Sequence, residues 1–233
     1  MRRRAASGTP IQRKPMLWSA SSRLAGILAV LLLAGQTLPA LAGETAAERR
    51  VVIFTPALDD ERLAPTREAL EFWNSTLAQL RLSPRLVEAA VVVESPLTRS
   101  LENHAQRLWR QAGRISAGET GPRAPRELHD EEGDIFILLS QQHLMSFAWP
   151  VDETERYFVA IGTRSEDRVK QAVPMHNVIA HELGHALGLT HNNQPAALMC
   201  SPCRSALIKE YPHRFLPLTA LDYARLQELY GGP

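Results

Sequence analysis

Between residues 176 and 203 the chain reads HNVIAHELGHALGLTHNNQPAALMCSPC. Within it, His181 and His185 stand four residues apart, with Glu182 between them. On a helix, residues at that spacing stack on one face. Two imidazole nitrogens so placed can meet one tetrahedral Zn2+ at about 2.0–2.1 Å. Glu182 lies one step around the helix, poorly placed to be a ligand but within reach of a water on the metal. Zinc lowers the pKa of such a water to about 7. A carboxylate can take its proton as the water attacks a carbonyl, and then deliver that proton to the leaving amine.

A catalytic zinc takes a third protein ligand and keeps a fourth position open. His191 is six residues beyond His185. On an unbroken helix that is roughly 600° of rotation and about 9 Å of rise, far from the metal. Gly188 offers the solution: a glycine adopts positive φ at no steric cost, ends the helix and folds the chain back, so that His191 returns to the ion. A bare HExxH arises by chance; the glycine and the third histidine at these spacings are what single out a catalytic zinc.

HELGHALGLTH matches the HExxHxxGxxH signature of the metzincin metalloproteases. The segment AALMCSP follows, and Met199, eight residues after His191, resembles the methionine of the metzincin Met-turn. Within that clan the chain is most similar to the matrixins, in HALGLTHNNQPAALM, in PLTALDYARLQELYG near the C-terminus and in REALEFWNSTLAQLRLSPRLVEA. The resemblance implies an α+β metzincin fold: a twisted, mixed five-stranded sheet, two long helices behind it and a third helix after the site. It implies that Met199 packs beneath the zinc without binding it. It also implies that LMSFAWP is the edge strand, where Phe147, Ala148 and Trp149 pair antiparallel with a peptide substrate through main-chain hydrogen bonds.

The chain departs from that family in several places. No PRCGxPD-like segment with an inhibitory cysteine is recognisable. Neither are the matrixin structural-zinc and calcium loops, so the resemblance carries one catalytic zinc to this chain but not calcium. Ser201 stands where other metzincin groups place a tyrosine. Two cysteines do not suffice for the second zinc of archaemetzincins. Cys200 and Cys203 admit three readings: a disulfide clip stiffening the wall beside Met199, a redox-responsive thiol pair, or a thiolate that blocks the zinc. In an exported protein the clip is favoured.

The elements that must position these residues read as follows. Arg49–Pro56 is a β-branched strand ended by proline, and Leu63 to Leu80 repeats apolar residues at helical spacing. Pro84–Ser95 is a second strand, and PLTRSLENHAQRLWRQAG a short helix ending near Gly113. Residues 113–133 read as a surface loop. Asp134–Ser140 is a continuous apolar run, expected of a buried central strand. LMSFAWP and RYFVAIGT are further strands. Residues 174–187 form the site helix, and the last helix has Thr219 as N-cap and Gly231 as its stop. His104, His129, His143, His176 and His213 lack ligand spacing and are expected to be surface or packed residues.

The chain has 233 residues and a formal net charge of +1. Six of the 26 basic residues, and no acidic one, lie in residues 1–42, so the remainder has 20 basic against 25 acidic residues, a net of −5. That mildly acidic body does not suggest a nucleic-acid partner. LAGILAVLLLAG, from Leu24 to Gly35, is too short to span a bilayer, which takes roughly 20 apolar residues. With the basic leader before it and ALA at 40–42 after it, it reads as an export signal cleaved after Ala42, with Met16 as an alternative start. The alternative is an uncleaved anchor helix over 24–41.

The expected protein is therefore a monomeric, secreted or periplasmic zinc endopeptidase over residues 43–233, acting on peptide or protein substrates without a stable membrane span. The alternative is a catalytically silent, zinc-containing peptide-binding protein of the same fold. Glu182 favours the enzyme, because a binding module has no need of a base beside the metal. A purely structural zinc domain would call for four protein ligands, and only three histidines converge.

Overall fold

The computed structural model describes residues 47–116, 121–163, 174–201 and 215–232. The chain order is β1 (Glu48–Thr55), α1 (Leu63–Gln79), β2 (Arg85–Val93), α2 (Pro96–Ser116), α3 (Arg126–Asp130), β3 (Ile135–Leu139), β4 (Phe147–Pro150) and β5 (Tyr157–Ile161), followed by α4 (Met175–Ala186) and α5 (Ala220–Tyr230). The strands form one sheet in the order β2-β1-β3-β5-β4. Four strands are parallel, and β4 runs antiparallel to β5 at the edge. The result is a mixed five-stranded α+β architecture. Ala89 is the extra residue where the β1–β2 register jumps from Val51–Glu88 to Val52–Ala90, a β-bulge.

β3 is buried at all five positions, as a central parallel strand must be when both its faces are covered. Its side chains, like those of β1 and β5, divide between two cores. Val51, Ile53, Ile135, Ile137, Leu139, Val159 and Ile161 pack against α1 and α4. Val52, Phe54, Phe136, Leu138, Phe158 and Ala160 pack against α2 and α3. Because side chains alternate along a strand, one sequence run feeds both layers.

Two expectations need correction here. The second helix does not stop near Gly113 but runs to Ser116. Nor is 113–133 loop throughout: α3 lies within it, and its Leu128 is fully buried under the sheet. The helices are thus not confined to one side, since α2 and α3 form a second layer opposite α1 and α4. The apolar stripe Leu97, Leu101, Ala105 and Leu108 explains this, because that many large side chains at helical spacing must be covered.

Two buried arginines tie the sheet ends. Arg62 donates to the carbonyls of Ser140 (2.6 Å), Ile161 (3.1 Å) and Leu139 (3.2 Å), at the C-terminal ends of β3 and β5. Its charge is matched by Asp60 at 2.7 Å. Burial works to raise the Asp60 pKa, but the hydrogen bonds and charge of Arg62 hold it below the usual carboxylate range. Arg49 donates to Ala186 O at 2.9 Å, fastening the C-terminal end of α4 to β1.

Candidate metal centre and cleft

α4 begins after Pro174 and carries His181, Glu182 and His185. Its axis is fixed by Trp73, a fully buried residue of α1 whose indole N–H donates to Ala180 O at 2.9 Å. The helix ends where Gly188 takes φ +84°, with Leu189 N donating back to Gly184 O at 2.9 Å. That is the left-handed helix stop available to glycine. A Cβ at Gly188 would also lie 2.6 Å from Leu229 Cδ1 of α5. The Tyr230 hydroxyl donates to Leu187 O at 3.2 Å, so α5 braces the turn from outside.

The turn brings His191 back over α4. Its Nε2 lies 3.2 Å from His181 Nε2 and 3.1 Å from His185 Nε2, and the latter two are 3.2 Å apart. His181 Nδ1 sits 2.7 Å from Leu198 O, and His185 Nδ1 2.8 Å from Leu189 O. A carbonyl only accepts, so each of these Nδ1 atoms carries the proton and each Nε2 presents a bare lone pair to the same point. Burial lowers the pKa of all three histidines, that of His185 to about 4. They are therefore neutral at pH 7, the form that binds metal.

This donor set fits zinc. Tetrahedral ligands at about 2.0–2.1 Å from Zn2+ stand about 3.3–3.4 Å from one another, close to the spacing found. The backbone carbonyls behind the rings are the kind of outer partner that fixes ring orientation in such sites. Among the described residues, this is the one group of three or more His, Cys, Asp or Glu side chains so arranged.

Glu182 is 7% exposed and lies beside the triad. Burial pushes its pKa up to about 8, against the opposing effect of a hydrogen bond from the Ala148 backbone N–H. That bond links the site helix to the edge strand. Phe147, Ala148 and Trp149 of β4 line, with the three histidines, Glu182, Met145 and Ser201, a cleft of about 410 Å³. Leu108, Trp109 and Ala112 of α2 complete its wall.

Met199 is fully buried against α4: a Cβ placed on Gly184 would lie 2.6 Å from its sulfur and 3.1 Å from Trp73. Its segment is held to the loop after His191 by Asn192 N donating to Met199 O (2.8 Å) and Ser201 N to Asn192 O (2.9 Å). The Asn192 amide in turn donates to Asp222 (3.2 Å), the residue that completes the α5 capping box with Thr219. A helix cap thus also anchors the residue next to His191. Gly184, Asn192, Asp222 and Arg49 escaped the sequence reading. For Gly184 the HExxH pattern treats the position as free, and the others act across 30 residues or more. Only Thr219 followed three residues later by an acid hinted at the cap.

Cys200 is buried, and Cys203 lies outside the described residues, as do the segment expected to be an export signal and His213. His104, on α2, is buried, while His129, His143 and His176 lie away from the histidine triad.

The matrixin family model (peptidase M10) matches residues 99–231, more than half of the chain. Over 56 residues the chain is 46% identical to macrophage metalloelastase of Oryctolagus cuniculus, a stretch that is 24% of this chain and 11% of the relative. The chain therefore matches only about a tenth of that relative's length. Among solved structures, archaemetzincin from Methanopyrus kandleri superposes with a TM-score of 0.42 at 14% identity, covering 81% of this chain and 98% of that one. Metalloproteinase-II from Bacteroides fragilis gives 0.43 at 12% identity, covering 79% and 54%. Both likenesses are distant.

Proposed function

The chain belongs to the matrixin family of metallopeptidases, and from that premise we propose that it is a zinc endopeptidase in which His181, His185 and His191 hold the metal and Glu182 is the general base. The observation that carries this reading is the convergence of three Nε2 atoms at 3.1–3.2 Å with Glu182 beside them in one cleft. Bound zinc would supply a Lewis acid that polarises the scissile carbonyl and acidifies a coordinated water. Glu182, held ionised against its burial by the positive charge of bound zinc, takes a proton at its carboxylate and returns it to the departing amine nitrogen. Ala148 positions that carboxylate and offers main-chain groups to the peptide. β4 is a sheet edge, and an extended peptide pairs there as an added strand. Met199 and Gly184 make the floor close-packed.

The three histidines and Glu182 lie within one eleven-residue stretch, so the metal site does not call for a second copy of the chain. Among the described residues no helix is long and apolar enough to cross a membrane. Residues 1–42 are read as an export signal, which places the domain 43–233 outside the cytoplasm and favours a Cys200–Cys203 clip. N-terminal sequencing of the exported protein is expected to begin at Gly43.

The test is zinc content and cleavage of a mixed peptide library by residues 43–233, beside Glu182→Ala. Both proteins are expected to hold one zinc, and the variant to lose at least about 10²–10⁴-fold in activity, the usual worth of a general base. Zinc in both proteins with cleavage by neither would instead favour a peptide-binding relative of the same fold.

A further inference from the structure

The cleft has two unlike walls. On one side stand the histidines and Glu182; on the other, α2 contributes Leu108, Trp109 and Ala112, with Met145 at the mouth of β4. Leu108 is buried in the core, but Trp109 is 39% and Met145 58% exposed. Of the large apolar side chains exposed among the described residues, these two line the cleft, where they are free to meet an apolar group of a ligand. Tryptophan is also the residue type most enriched where binding energy concentrates.

The pleat of β4 indicates what this surface meets. Ala148 packs toward the α1/α4 core, whereas Phe147 and Trp149 pack toward the α2 core. Directly opposite residues of an antiparallel pair carry their side chains on the same face. A peptide added along the open edge of β4 therefore alternates. The residue opposite Ala148 faces α4, and its neighbours, opposite Phe147 and Trp149, face α2.

We propose that Trp109 and Met145 form an apolar subsite that selects a large apolar side chain, aromatic or branched aliphatic, in a substrate residue adjacent to the one facing the metal. This rests on the peptidase reading, and it makes α2 a specificity element of the enzyme. An aromatic ring on the peptide would lie against the exposed indole face, and the thioether of Met145 would close over it.

The experiment compares wild type, Trp109→Ala, Trp109→Phe and the exposed control Leu221→Ala, which does not line the cleft, on paired hexapeptides that carry Phe or Ala at each position in turn. Wild type is expected to prefer Phe over Ala by about tenfold at one position next to the metal-facing residue, the worth of one apolar contact of this size. In Trp109→Ala that ratio collapses toward one through KM, Trp109→Phe restores most of it, and Leu221→Ala leaves it intact. Unchanged selectivity in Trp109→Ala, or a uniform loss on every peptide, overturns the subsite. If wild type cuts nothing, the peptidase reading fails. The same peptides are then titrated into Glu182→Ala with and without Trp109→Ala. A Trp109-dependent preference for Phe in binding sustains the subsite, and equal binding overturns it.

Discussion

On the face of the sheet that carries α4, the polar groups of the site are backed by main chain: Trp73 by Ala180, His181 by Leu198, His185 by Leu189 and Arg49 by Ala186. On the opposite face, under α2, His104 is 1% exposed, and neither ring nitrogen has a hydrogen-bond partner among the described residues. The hydroxyl of Thr98, also in α2, is buried in the same condition. Leu97, Leu101 and Phe158 do the packing there, and the His104 ring lies against Phe158 at 5.4 Å. One face is held by directional bonds that fix how its rings are oriented. The other is filled by volume around His104, and its directional bonds are at the edge, where Glu102 of α2 accepts from Ser140 Oγ (2.6 Å) and Gln141 N (2.8 Å). A metal centre needs the first kind of support, whereas an apolar wall works with the second.

That contrast predicts that the two faces fail differently. The largest effect is expected from His185→Ala, which removes one of the three proposed zinc ligands. Zinc content should fall below one per chain and peptidase activity by about 10³-fold or more, since several kcal/mol of transition-state stabilisation leave with the metal. His104→Leu, by contrast, should leave zinc content and activity at wild-type levels; a loss of metal there would erase the distinction between the faces.

The next effect belongs to His104 and is one of stability. Burial, with a smaller contribution from the charge of Arg107, lowers its pKa to about 4 from 6.5. The folded state therefore binds fewer protons than the unfolded state between these values, and stability falls as pH drops from 6.5 toward 4. The difference corresponds to about 3 kcal/mol at the acid end. Urea melts of wild type and His104→Leu across pH 4–7 should show a steeper acid loss in wild type. At neutral pH the leucine should match or exceed wild type, because it buries no unsatisfied nitrogen. Parallel pH profiles in the two proteins would remove His104 as the cause.

The smallest effect crosses from backbone to site. Gly188→Ala puts a Cβ at φ +84° and 2.6 Å from Leu229. Holding alanine in the left-handed region costs about 1–2 kcal/mol. The variant should melt earlier by that amount and bind zinc more weakly, because His191 depends on the turn. Weaker zinc binding with no change in stability would show that the turn acts on the metal alone.

Local periodicity made much of the fold legible. The β-branched and apolar runs at 49–56, 84–95 and 134–140 are strands, and the apolar spacing from Leu63 to Leu80 is α1. Where the reading failed, the missing information was not local. Gly113 sits inside α2 because the helix is carried by packing against the sheet, which overrides a single weak residue. α3 is only five residues long and is set by burying Leu128, a contact that leaves no periodic signal. In the site, the triad and Glu182 announced themselves through spacing. The acceptors Leu198 O and Leu189 O could not, since a backbone carbonyl has no residue type to read.

By itself, then, the sequence determined the arithmetic of α4: two histidines on one face, a glutamate one step round, and a glycine where the helix must end for His191 to return. Those relations lie within eleven residues and follow from helix geometry. Only the tertiary structure decided that Glu182 meets the Ala148 N–H, that Asp222 of the last helix holds Asn192, and that Trp109 stands at the cleft. Each joins segments 30 or more residues apart, and such pairings depend on how two cores divide the side chains of one sheet rather than on any local spacing.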